Sequence, residues 1–406
     1  MFATTGPTTQ VYRNVGVLAI SQGLFMSVQG MGIAASPLAG YALLGADKSL
    51  ATLPIFLNHV GIMVTTIPAS LLMGRIGRRA GFTVGTILGV LFGLLGAYAV
   101  WRQSFPLLCA SALLQGASAA FAWYYRFAAA DASPPVFKPK AISLVMAGGV
   151  IAGFVGPQLA KWTVNWFDPI TFMGVYVAIA LVSVVSLLVV QGVRIPSLTA
   201  AEKAEGGRPM SVIMRQPAYP VALISSMFGY AVMTLVMSAT PLAMLACGYG
   251  FADSATVIQM HIIAMFLPSF FTGALIARFG VLTIIVIGAI IEVGCALVNL
   301  AGIDFMNFLI ANALVGLGWN FTYVGGSTLL TQTYTASERA KVQASHDFLV
   351  YATTAAAAAS AGFLQQKAGW TVLNLAALPV LALVISASVW LALYRRREAM
   401  TLKPAE

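Results

Sequence analysis

The chain has 406 residues, 59% of them hydrophobic and 8% charged, against about 45–50% and about 25% in ordinary soluble domains. A soluble core cannot absorb that much apolar surface, and the long unalternated runs suit helices rather than the strands of a barrel, because backbone polar groups in lipid must be satisfied within the segment. The formal charge of +10 sits in short loops between apolar runs with no aromatic-interleaved basic domain, which argues against a nucleic-acid partner.

Apolar stretches of about 20 residues bounded by Pro, Gly and charge predict twelve membrane spans. In chain order they fall at roughly 14–40, 50–74, 81–100, 105–128, 140–165, 169–191, 219–246, 252–277, 281–300, 304–331, 343–366 and 370–394. The opening Met-Phe-Ala-Thr-Thr-Gly-Pro has neither a basic stretch nor a cleavage site, so no removed signal peptide is expected. The first span holds Met26 and Met31 with Gln22 and Gln29, and the second holds His59-Val-Gly-Ile-Met63. Tyr124, Tyr125 and Arg126 end the fourth span, where Arg126 either borders a cavity or snorkels to the interface. In the fifth, Gly148, Gly149, Gly153, Gly156 and Pro157 make a groove for close approach of another helix, expected at the interface of the halves.

One long polar interruption at about 192–218, with Glu202, Lys203, Glu205 and Arg208, separates a bundle at 1–191 from a second at 219–406. Beyond it, the seventh span carries Met233-Thr-Leu-Val-Met237 and ends near Cys247, and the eighth carries His261-Ile-Ile-Ala-Met265. Glu292 stands in the ninth span, Trp319, Asn320 and Tyr323 in the tenth, and His346-Asp347 at the start of the eleventh. Ionisable groups at such depth are functional candidates, and Glu292, His346 and Asp347 are candidates for relaying protons. Cys109, Cys247 and Cys295 lie in or beside apolar runs at no metal-ribbon spacing, so no disulfide framework is implied. No nucleophile, acid and base constellation marks an enzyme.

Lysine and arginine placement orients the spans. One side carries Arg13; Arg75, Arg78 and Arg79; Arg126, Lys138 and Lys140; Arg194, Lys203, Arg208 and Arg215; Arg278; Arg339 and Lys341; and Arg395–Arg397 with Lys403. The other carries Lys48, Arg102, Lys161 and Lys367. Both termini and the linker are therefore expected on the cytoplasmic side of the membrane.

The halves repeat. Ser70-Leu-Leu-Met-Gly-Arg75-Ile-Gly77 closes the second span and Gly273-Ala-Leu-Ile-Ala-Arg278-Phe-Gly280 the eighth, with arginine and glycine in register. With Arg78 and Arg79, this loop resembles the Gly-x-x-x-Asp-Arg-x-Gly-Arg-Arg motif of the major facilitator superfamily, although Ser70 and Gly74 replace its glycine and aspartate. The resemblance covers essentially the whole chain. It implies an all-α integral membrane protein of major facilitator fold, with twelve transmembrane helices in two six-helix pseudo-symmetric bundles, and Arg75, Gly77, Arg78 and Arg79 in a conformational loop.

Two of the three histidines precede a methionine by four residues, where chance would supply about 0.1 such pairs. Residues four apart share a helix face. Met237 with His261, and Met233 with Met265, are symmetric about a turn near residue 249, which matches their depths across an antiparallel pair. Thioethers and a neutral imidazole suit Cu(I) better than hard divalent ions; adaptable packing is the other reading of the methionines.

These motifs resemble the CcoA-type branch of the superfamily, bacterial copper importers that supply cbb3-type cytochrome c oxidase assembly; the branch also contains riboflavin transporters. The resemblance implies copper as transported substrate without a resident cofactor, ligated by Met233, Met237, His261 and Met265. His59, Met63, Met26, Met31 and Cys247 are secondary candidates. It further implies a monomer in membrane lipid that hands copper to a chaperone or to oxidase assembly factors. The alternative substrate is riboflavin or another small organic solute, with Arg126, Tyr124, Trp319, Asn320 and Tyr323 supplying stacking and hydrogen bonds. Alternating access about a midplane site is expected for either.

Overall fold

The computed structural model describes residues 9–44, 50, 53–195 and 207–401. Glu202, Lys203 and Glu205 of the linker, and Lys48, lie outside them. The described residues form sixteen helical segments: α1 (Thr9–Leu43), α2 (Leu53–Ile76), α3 (Arg78–Trp101), α4 (Phe105–Ala122), α5 (Tyr125–Asp131), α6 (Lys138–Ala147), α7 (Gly149–Thr163), α8 (Met173–Val190), α9 (Met210–Met214), α10 (Ala218–Ala246), α11 (Phe251–Phe266), α12 (Ser269–Phe279), α13 (Val281–Ala301), α14 (Phe305–Leu330), α15 (Arg339–Lys367) and α16 (Gly369–Thr401). Ten spans among the described residues are long and apolar enough to cross a membrane, and the bent pair α11–α12 makes an eleventh. This is a multi-pass membrane protein.

Three predicted spans are broken. The fourth divides at Trp123-Tyr124 into α4 and α5, and the fifth divides at Gly148 into α6 and α7. The eighth bends by 41° between α11 and α12, where Pro268 removes a backbone donor and crowds the preceding turn. The eleventh span is a helix of 29 residues, α15. Its Gln343, His346, Asp347 and Gln365 make it too polar to stand with the others as a lipid-facing rod.

The packing inverts that of a soluble bundle. On α8, Ser183 and Ser186 are buried while Leu181 and Leu188 are 55% and 68% exposed, as expected where the outer medium is hydrocarbon. Close crossings rely on glycine. A Cβ at Gly116 of α4 would stand 2.0 Å from the Asn58 carbonyl oxygen of α2, and one at Gly148 would stand 2.0 Å from that of Ala19 in α1. A Cβ at Gly156 would also meet α1, at Ser27. The partner of Gly148 and Gly156 is thus α1 of the same unit rather than the other half.

Contacts divide the chain into two compact units, one running to Gly206 and including Ala336–Tyr351, the other comprising Gly207–Thr335 and Ala352–Glu406. In the first unit α2 packs on α4, and α3 on α4 and α8. In the second α11 packs on α14, and α13 on α14 and α16. These are equivalent pairings of the second, third, fourth and sixth spans of each half. The repeat extends to backbone conformation: Gly77 and Gly280, in register in the sequence repeat, turn the chain at φ +88° and +86°, a region that favours glycine.

Candidate functional site

The first unit contains a buried ionic cluster. Arg126, on the short α5, is 1% exposed, and its Nη2 donates to both carboxylate oxygens of Asp347 at 2.7 and 2.8 Å. Its Nη1 donates to the Trp123 carbonyl, and the guanidinium lies 4.3 Å from the centre of the Phe127 ring. The His346 Nδ1 is 2.8 Å from Asp347 Oδ1. Arg126 therefore does not snorkel, and Asp347 pairs with this buried cation rather than with one in a loop. Tyr124 is also buried, its hydroxyl donating to the Thr66 carbonyl at 3.1 Å.

A second ionic group joins the start of α3 to the end of α5. Arg78 Nη2 donates to Asp131 Oδ2 at 2.8 Å and to Gln343 Oε1, while Arg339 reaches the same Asp131 oxygen at 3.8 Å. Of the loop residues singled out in the sequence, Arg78 is buried, Arg75 is exposed, and exposed Arg79 donates to Gln191 at 3.3 Å. The sequence reading missed Asp131 and Gln343. Only 12 acidic residues occur in the chain, so an acid just past an apolar run was itself a signal.

In the second unit the break at Pro268 is held by side chains of α14. Asn320 Nδ2 donates to the Met265 carbonyl at 2.7 Å and to the Ser269 hydroxyl, and its Oδ1 accepts from Thr272 at 2.7 Å. These bonds satisfy carbonyl and hydroxyl groups at the bend. One turn up, His261 is fully buried with Nδ1 2.9 Å from the Asn312 carbonyl, and its Nε2 has no hydrogen-bond partner. The bond to a carbonyl assigns the Nδ1 proton and leaves Nε2 as a lone-pair acceptor.

Of the remaining proposed ligands, Met233 and Met265 are buried and Met237 is half-buried. The structure joins Met265 and His261 through α14, and α11 packs only lightly on α10. Matching depth across the α10–α11 hairpin is therefore not by itself side-chain contact. Met31 belongs to an apolar cluster with Phe92 and Tyr176. Met26 and Met63 are half-buried, Cys247 is exposed, and half-buried His59 bonds within its own helix to the Ile55 carbonyl at 2.9 Å. No group of three His, Cys, Asp or Glu side chains among the described residues forms a metal site.

His59 and His261 share the His-x-x-x-Met spacing but do not occupy equivalent positions in the two halves. A Cβ on Gly116 meets the Asn58 carbonyl, and one on Gly316 meets the His261 carbonyl at 2.7 Å. The counterpart of His261 is thus Asn58, as the Arg75–Arg278 register also requires. A shift of one residue turns a side chain about 100° around the helix.

Beside the bend lies an aromatic group. Trp319 and Tyr323 stack with centroids 5.0 Å apart, Tyr230 of α10 meets each edge-on at 5.3 Å, and Phe266 meets Trp319 at 5.8 Å. Tyr230 is half-buried; Trp319 and Tyr323 are fully buried. Glu292 is buried on α13 near Thr322 of α14.

Apolar helices that face outward, a buried ionic cluster in the first unit and an aromatic and amide group in the second are features of a polytopic membrane protein with a polar interior. The chain belongs to the Major Facilitator Superfamily, whose family description matches residues 18–304, and it is a secondary transporter of that family. It is 36% identical over 379 residues to the riboflavin transporter RfnT of Brucella anthropi, covering 93% of this chain and 95% of that one. It is 27% identical to the uncharacterized MFS-type transporter YddS of Bacillus subtilis, covering 94% and 91%. Among solved structures, the transporter FucP in its outward conformation superposes with a TM-score of 0.77 at 15% identity, covering 94% of this chain and 99% of FucP. A bacterial homologue of the iron transporter ferroportin superposes with a TM-score of 0.71 at 13% identity, covering 93% and 98%. These two establish the fold alone.

Proposed function

We propose that this protein imports a planar organic solute of the riboflavin class across the cytoplasmic membrane by alternating access, with both termini on the cytoplasmic side. The observation that carries this reading is the 36% identity to a riboflavin transporter over nearly the full length of both chains. The group of Tyr230, Trp319, Tyr323 and Phe266 is compatible with it, since planar rings bind to stacked and edge-on aromatic faces. Asn320 is less suited to hydrogen-bond the solute because its donor and acceptor are engaged at the bend. Proteoliposomes containing the purified protein should take up labelled riboflavin saturably, with excess unlabelled riboflavin competing and copper leaving uptake unchanged. Replacement Tyr230→Leu should lower riboflavin affinity by about 3- to 10-fold, the worth of one aromatic contact. Absence of riboflavin flux rejects the reading.

Copper import for cbb3-type oxidase assembly is the second reading. It is favoured by the unpartnered Nε2 of buried His261, with Met265 one turn away. Among the described residues no three His, Cys, Asp or Glu side chains group together, so such a site depends on the thioethers. Uptake of copper by the same vesicles, lost in His261→Ala, would establish it in place of riboflavin.

A further inference from the structure

The second unit encloses a carboxyl group that neither substrate reading uses. Glu292 is 1% exposed and stands eleven residues into α13, about 16 Å from the start of the helix. Its Oε1 is 3.2 Å from Thr322 Oγ1, and its Oε2 has no hydrogen-bond partner. The pocket is built for close approach. A Cβ on Gly318 of α14 would lie 2.5 Å from Glu292 Cγ, and one on Gly229 of α10 would lie 2.3 Å from Thr322 Oγ1. Glycine at both positions lets three helices close around the carboxyl.

The hydrogen-bond inventory decides its form. Thr322 has one hydroxyl proton, and three acceptors are near it: Glu292 Oε1, the Gly318 carbonyl at 3.1 Å and the Trp319 carbonyl at 3.2 Å. If Glu292 carries a proton, its O–H donates to Thr322 Oγ1 and Thr322 donates to the Gly318 carbonyl. Every donor then has an acceptor. If Glu292 is ionised, Oε2 is an unpaired acceptor carrying charge in an apolar interior, which is strongly unfavourable.

Among the described residues, no cation of the neighbouring elements stands beside it. At this level the titratable groups are the Cys295 thiol on α13 itself and the phenols of Tyr230 on α10 and Tyr323 on α14. The cations Arg278 of α12 and Arg395–Arg397 of α16, and the acids Asp304 and Glu398, stand at helix ends. One hydroxyl and one carboxyl also fall far short of the six or so oxygens that a hard metal cation requires.

We propose that Glu292 is the group that takes up and releases the coupling proton. One proton binds the carboxylate when the site is open to the side of higher proton activity, is held while the carboxyl is buried as here, and leaves when the site opens to the other side. This deepens the transport reading above and rests on it for the flux, while the protonation itself does not depend on which solute is carried.

The test has two arms on full-length protein. In pH-difference infrared spectra of the protein in lipid, wild type should show the carbonyl band of a protonated, buried carboxyl, and Glu292→Gln should lose it. In proteoliposomes, Glu292→Gln, which keeps the neutral shape, should retain exchange of labelled for unlabelled riboflavin but lose accumulation driven by a pH gradient. Retention of the band by the variant, or accumulation equal to wild type, overturns the proposal. Wild type that moves no riboflavin rejects the substrate instead, and the infrared arm still decides Glu292.

Discussion

At Arg126 a guanidinium spans both oxygens of one carboxylate, each bond below 3 Å, with almost no access to solvent. Such a pair contributes little net stability when intact, but removing one partner strands a buried charge. Arg126→Met and Asp347→Leu should therefore each destabilise the protein by about 3–5 kcal/mol, and the double variant by much less; thermal unfolding in detergent measures the difference. A double variant that loses as much as the two single variants added together would mean that the pair is not coupled. Asp347 and His346 were legible in the sequence because charge is rare in such a chain. So was Arg126, but the pairing was not, since 221 residues separate Arg126 from Asp347 and no local pattern joins them. The register of His261 shows a second limit: the shared His-x-x-x-Met spacing suggests His59 as its counterpart, while the glycine contacts make it Asn58.

The helices themselves were legible because spans of apolar residues bounded by charge have few other folded forms in lipid. Their breaks were not, because apolarity runs unbroken through Trp123-Tyr124, Gly148 and Leu267, and only tertiary packing distinguishes a bend from a rod. Close crossing is the property that glycine confers here. Gly116→Ala forces α2 and α4 apart and should destabilise by about 1–3 kcal/mol. Gly30→Ala, with no neighbouring atom within 4 Å of the added carbon, should instead stabilise by about 0.5–1 kcal/mol. Parallel melts of the two variants separate crowding from helix propensity. At the bend, Asn320→Ala removes the side-chain donor to the Met265 carbonyl, at about 1–3 kcal/mol for a group left unsatisfied, while the Thr272 hydroxyl keeps its bond to the Pro268 carbonyl at 2.8 Å. A variant as stable as wild type would show that the bend does not depend on this amide.

For the whole molecule, the charge asymmetry of the loops makes a prediction that fusions can read. A reporter that fluoresces only in the cytoplasm should be bright after Arg397 and dark in the loop that follows Lys161, between α7 and α8, while a periplasmic phosphatase should give the opposite result. Two bright fusions would reject the proposed orientation. The duplication was visible in Arg75 and Arg278, and the matched turns at Gly77 and Gly280 extend it to the backbone. The helix α15 departs from that symmetry because its first turns cluster with α1–α8 although they lie late in the chain. Its polarity also bears on how the chain enters the bilayer. A segment containing His346 and Asp347 has little drive to leave the translocon alone, whereas α16 is strongly apolar. The last two helices are therefore expected to insert as a pair, so that a chain ended after Lys367 should leave its final segment accessible to protease while the preceding ten spans remain embedded.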